Sequence, residues 1–132
     1  MIEMLRGDLA VLVETKCELK APSPKWEVVS TEIHGSNGVA VVVPRRGTVK
    51  EMKLMERTQS FVIVEARVNR RKMIIIGIYM PCGAAERRVV VAQVDEALMK
   101  IGVRGLGIVV AGDLNHARED KRWKAMKRRL GL

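Results

Sequence analysis

The chain has 132 residues, 48% of them hydrophobic and 30% charged, which fits one domain with a substantial core and excludes an intrinsically disordered polymer. Its longest apolar runs, VAVVV (39–43) and MIIIGIYM (73–80), are far shorter than the ~20 residues of a membrane-spanning helix, so no membrane association is expected. The net charge of +9 favours a polyanionic partner. With only 3% aromatic residues, contacts to phosphate suit the composition better than base stacking.

The opening residues MIEMLRGD carry charges and no apolar segment of the signal-peptide kind. Ile2 and Leu5 can share one face of a short helix that Gly7 would end. LAVLV (9–13) reads as a short buried strand, followed by ETK (14–16). KAPSPKW (20–26), with Pro22 and Pro24, reads as a loop. EVVSTEI (27–33) is a strand, HGSNG (34–38) a turn by composition, and VAVVVP (39–44) a strand stopped by Pro44. Residues 45–61 read as a turn and a short edge strand. FVIVEARV (61–68) and MIIIGIYM (73–80) pair as a hairpin around the polar loop NRRK (69–72).

Residues 86–101 form the clearest helix, with Val90, Val94, Ala97, Leu98 and Ile101 at helical spacing and Gly102 after them. GIVVAG (107–112) is nearly continuous in apolar residues, the pattern of a strand buried on both faces. The tail REDKRWKAMKRRL (118–130) reads as a strongly basic helix with few apolar residues. Hairpin strands, a helix and a further buried strand imply a layered α/β domain: a mixed β-sheet with covering helices. Cys17 and Cys82 are the only cysteines. Two lone thiols suit a reduced, intracellular compartment, nucleus or cytoplasm. With only His34 and His116 to join them, they make a poor zinc set.

The residues most suited to chemistry follow buried strands. Asp113 and Asn115 come after GIVVAG, and Glu14 comes after LAVLV. Ligands of α/β sheets gather where strands end. If these two ends are neighbours, Glu14 and Asp113 converge, and paired carboxylates suit Mg²⁺. The plainer reading is a tight turn, because Gly and Asp favour one without any ligand. His116 reads as a solvent-facing or loop-capping residue, and Asp120 as a helix N-cap or partner of a nearby base.

Four segments in order resemble the exonuclease–endonuclease–phosphatase superfamily, its apurinic/apyrimidinic endonucleases and non-LTR retrotransposon endonuclease domains in particular. VLVETKCEL (11–19) resembles its Glu-bearing segment and GVAVVVPRR (38–46) its next core strand. IIIGIYMP (74–81) resembles its Tyr-x-Pro strand end, and IVVAGDLNHARED (108–120) its Gly-Asp-hydrophobic-Asn motif. The resemblance implies divalent-metal-dependent phosphodiester hydrolysis of DNA, with Mg²⁺ (or Mn²⁺) held by Glu14. It implies that Tyr79 lines the scissile phosphate, that Asp113 orients or deprotonates the attacking water, and that Asn115 hydrogen-bonds in the same site. An Asn-bearing first strand and a final Ser-Asp-His-like segment have no counterpart in these residues, and Val13 stands where glutamine is common. The expectation is therefore a partial domain over 1–132, about half of a four-layer α/β sandwich, with a basic helical tail over 118–132. An open sheet face would call for self-association or a covering partner. The alternative to an enzyme is a non-catalytic basic module that binds nucleic acid through Arg45, Arg46, Arg70, Arg71, Lys72, Arg87, Arg88 and the 121–129 cluster.

Overall fold

A computed structural model describes residues 9–13, 24–31 and 38–132. Two sheets face each other, and helices cover the outer face of the second. The first sheet joins β1 (Ala10–Val13), β2 (Trp26–Ser30) and β3 (Val39–Pro44) in the order β1-β3-β2, all antiparallel. The second joins β4 (Val49–Arg57), β5 (Phe61–Val68), β6 (Arg71–Tyr79) and β7 (Gly107–Asp113) in chain order. Its first three strands are antiparallel and β7 runs parallel to β6. A parallel neighbour requires a crossover, supplied here by α1 (Ala84–Ile101). A 3₁₀ turn (Ala117–Glu119) and α2 (Lys121–Leu130) complete the chain. This is the expected mixed α/β architecture, part of a layered sandwich.

Side-chain alternation divides the apolar residues between two cores. Ile75 of β6 joins Val62, Val64 and Ala66 of β5 and Val39, Val41 and Val43 of β3 between the sheets. Ile74, Ile76 and Ile78 face the other way, with Phe61 and Ile63, onto Val90, Val91, Val94 and Leu98 of α1 and Trp123 and Met126 of α2. Each fully buried Ile contributes roughly 2–3 kcal/mol of transfer free energy. A run of three isoleucines thus glues β6 to both neighbouring layers. Gly77 lets the sheets approach: a Cβ there would lie 2.9 Å from Val39 Cγ1 and 3.3 Å from Val11 Cγ1.

The strand reading needs three corrections. β4 is an edge strand, as expected, but it is nine residues long. Register shifts interrupt its pairing with β5, and Glu51 sits at φ 55° beside one of them, so the alternation that marks a strand is broken in the sequence. The hairpin turn is two residues, Asn69 and Arg70, both left-handed, as tight hairpins demand. Arg71 and Lys72 belong to β6, opposite Val68 and Arg67. β7 is not buried on both faces: it is the sheet edge, and Ile108, Val109, Val110 and Ala111 are all half-buried. Its apolar run reflects contact with helices on one side and with β1 on the other.

The basic tail is anchored more firmly than its composition suggests. Asp120 caps α2 by accepting from the backbone N–H groups of Arg122 and Trp123, which leaves Trp123 and Met126 to enter the core. Asp95 of α1, itself buried, accepts from Arg122 Nε at 2.9 Å and from Arg129 Nη2. Burial pushes this carboxyl up, but the hydrogen bonds and charges of Arg129 and Arg122 outweigh it and hold the group below the usual carboxylate range. Asp95 occupies a place in the apolar stripe between Val91 and Leu98.

Candidate functional site

Tyr79 and Asp113 end adjacent parallel strands and are register partners. In-register neighbours point to the same face. Ile108 and Val110 pack toward the helices, so Asp113 lies on the opposite face, the one where Tyr79 packs beside the inter-sheet core. The strand ends are stitched by a backbone bond from Met80 N–H to the Asp113 carbonyl at 2.7 Å, and Tyr79 N–H ties the same end to the Ser60 carbonyl before β5 at 2.8 Å. Gly112 makes this closeness possible. Its φ is +126°, and a Cβ there would fall 2.1 Å from the Ile78 carbonyl oxygen. The glycine of the Gly-Asp pair is thus a steric requirement of the strand end.

Beyond the strand the chain turns sharply. Asn115 is left-handed at φ 41°, a conformation that asparagine tolerates. Its backbone N–H donates to Asp113 Oδ1 at 3.0 Å, which fixes the carboxylate. Its side-chain Nδ2 donates to the Met80 carbonyl, so the residue ties the two loops together and leaves its amide oxygen as the group able to meet a ligand. Tyr79, Asp113 and Asn115 are therefore brought together. His116 is exposed and lies 3.6 Å from Glu119, outside this cluster, in keeping with a loop residue.

Glu14 lies outside the described residues. The strand before it runs beside the site: Val11 abuts Gly77, two residues before Tyr79, and Val13 packs on the same inter-sheet core as Tyr79. Among the described residues no three His, Cys, Asp or Glu side chains form a group able to hold a metal ion. Asp113 supplies one carboxylate, so these residues alone do not make a divalent-cation site.

On the helix side of the same sheet end, a groove carries net positive charge. It is lined by Arg87 and Arg88 of α1, by Lys121 and Arg122 of α2, and by Glu119 and Asp120. Arg87 is buried, donates from Nη1 to the Cys82 carbonyl at 3.0 Å, and has no partner at Nε among the described residues. Both Arg87 and Asp95 escape a reading by helical periodicity, which treats charged side chains as solvent-facing. The signal available was their position, four residues before Val91 and four after it.

No helix among the described residues is long and apolar enough to cross a membrane. No family model matches the chain, and no curated relative does. Solved structures do. The endonuclease domain of TRAS1, a telomere-specific non-LTR retrotransposon, superposes with a TM-score of 0.66 at 15% identity, over 98% of this chain and 60% of that one. Humanized D. rerio TDP2 superposes at 0.62 with 12% identity, over 98% and 56%. Truncated Caenorhabditis elegans TDP2 superposes at 0.58 with 16% identity, over 86% and 52%. The chain spans between half and three fifths of the length of these domains. Sheet order, the β6–α1–β7 crossover and the paired strand ends together make up a fold that this chain shares, over the matched part, with these endonuclease and TDP2 domains.

Proposed function

We propose that this chain is an endonuclease-like domain that hydrolyses DNA phosphodiesters with the help of Mg²⁺ or Mn²⁺. The observation that carries the reading is the meeting of Tyr79, Asp113 and Asn115 at one sheet end, in a fold shared with an endonuclease domain. Asp113, held by the Asn115 N–H, orients the attacking water and takes its proton. Tyr79 lines the scissile phosphate, and the Asn115 amide oxygen accepts a hydrogen bond from the attacking water. Glu14 would hold the metal, which supplies charge stabilisation at the phosphate when bound. The neighbouring groove of Arg87, Arg88 and Lys121 attracts the flanking backbone. Such a domain works on intracellular nucleic acid.

The test is nicking of supercoiled plasmid with Mg²⁺ or EDTA, using the parent chain, Asp113→Ala and Glu14→Ala. Metal-dependent nicking lost in both variants is the expected result. Nicking that survives both changes refutes the assignment. A second reading, a non-catalytic nucleic-acid-binding module, is favoured by the net charge of +9 and predicts salt-sensitive binding with no cleavage.

A further inference from the structure

Opposite the site, the second sheet ends in a different surface. β6 starts at Arg71 and finishes at Tyr79, so the two ends lie about 26 Å apart at 3.3 Å per residue. At the Arg71 end two grooves meet around the hairpin turn. One is lined by Arg46, Lys50, Arg67 and Arg70, with Asn69. The other is lined by Arg71 and Lys72, again with Asn69, and by Gly105–Gly107. The shared Asn69 makes them one continuous surface. All six basic side chains are exposed.

Two of the six are neutralised locally: Arg67 by Glu51 at 2.7 Å and Lys72 by Glu65 at 3.6 Å. The remaining four, Arg46, Lys50, Arg70 and Arg71, converge on the turn with no ion pair among the described residues. Their convergence follows from the backbone. The left-handed Asn69–Arg70 turn sets Arg70 beside the Arg46–Lys50 connection that feeds β4, whose Val49 pairs with Val68, and sends Arg71 into the adjoining groove. Holding four like charges together costs free energy unless a counter-charge arrives. None of the exposed large apolar side chains among the described residues, Leu54, Val89, Met99 and Leu132, lines either groove. A lipid surface would require apolar insertion, for which the half-buried Val68, Met73 and Leu106 of the second groove present no exposed side chain. A regularly spaced phosphate chain requires only the charges.

We infer that this distal end is a second nucleic-acid contact, separate from the Tyr79–Asp113 end, that grips the phosphate backbone of a duplex through Arg46, Lys50, Arg70 and Arg71. The contact does not depend on cleavage, on a metal or on Glu14. A chain with phosphate-binding surfaces at both poles of one sheet can hold two nucleic-acid segments, or two parts of one bent segment.

The experiment is fluorescence anisotropy with a labelled 20-base-pair DNA duplex in EDTA, across 50–300 mM KCl. The parent chain is compared with Arg46→Ala/Lys50→Ala/Arg70→Asn/Arg71→Ala, in which asparagine suits the left-handed turn position. Four lost phosphate contacts should make the log Kd against log salt slope shallower by about 3.6, so that the parent's advantage over the variant falls by about fiftyfold between 100 and 300 mM salt. Adding Arg88→Ala/Lys121→Ala, at the other pole, should remove a further, additive portion of the slope. A fourfold variant that binds within threefold of the parent at unchanged slope overturns the inference. So does a parent slope too shallow to contain four contacts, a result that needs no variant to fold. Equal competition by polyglutamate of the same charge would overturn the assignment to nucleic acid, and a matching loss with an RNA duplex would extend the contact to both backbones. Because every reading is made without metal, absence of nicking leaves this result intact.

Discussion

Gly112→Ala is the sharpest probe of the site's construction. The residue has φ +126°, where side chains other than hydrogen are rarely found, and the new methyl would start 2.1 Å from the Ile78 carbonyl oxygen. That oxygen belongs to the backbone of β6, so no side chain can swing aside. Relief requires β7 to part from β6 just where Tyr79 pairs with Asp113. The backbone conformation costs about 1–3 kcal/mol, and the forced separation adds about 1–3 kcal/mol more. A total of about 4 kcal/mol is a large share of a stability of about 5–15 kcal/mol. At roughly 3–5 °C per kcal/mol for a chain of this size, Tm should fall by about 12–20 °C. Gly102→Ala is the control. It also has a positive φ, 76°, but nothing lies within 4 Å of its Cβ, so only the conformational cost of about 1–2 kcal/mol applies. Thermal and urea unfolding followed by circular dichroism would measure both. If the two variants lose equal stability, the steric account of the Gly-Asp strand end is wrong.

Other expectations follow from the hydrogen-bond pattern. Asp95→Asn should cost about 1–2 kcal/mol at neutral pH, a discounted figure because Arg122 and Arg129 can turn back to water. The carboxyl of Asp95 sits below its ordinary range, so its contribution is complete above about pH 4 and is lost as pH falls through the depressed value. Urea midpoints between pH 2 and 7 should therefore converge for parent and variant at the acid end. Asn115→Ala loses the donation to the Met80 carbonyl and must hold a φ of 41° without the amide, which should cost about 1–2 kcal/mol. Asn115→Gly should recover only the backbone part, and urea unfolding of the pair separates the two contributions.

The strands that carry the core were readable because their composition and their place agree. Phe61–Val68 is dense in β-branched residues, lies between two other strands, and begins and ends where its sequence pattern does. β7 shows the opposite case. Its apolar run reports what its side chains touch, not its place at the rim of the sheet, and a rim strand with covering layers reads like a central one. The site was legible only in part. Position after a strand singled out Asp113 and Asn115, and resemblance added Tyr79. The parallel register that sets Tyr79 against Asp113 is a long-range fact that no local pattern contains. Asp95 was invisible for a related reason: its two arginine partners lie 27 and 34 residues away.

The two attachments of α1 have a mechanical consequence. Near its first turn Arg87 grips the Cys82 carbonyl in the loop that follows Tyr79, and farther along Asp95 grips the tail helix. A helix of 18 residues is a stiff rod about 27 Å long. Any load that drags α2 away from the body, such as tension from a polyanion wound round its arginines, is thereby delivered along the rod to the loop where Asn115 holds Met80.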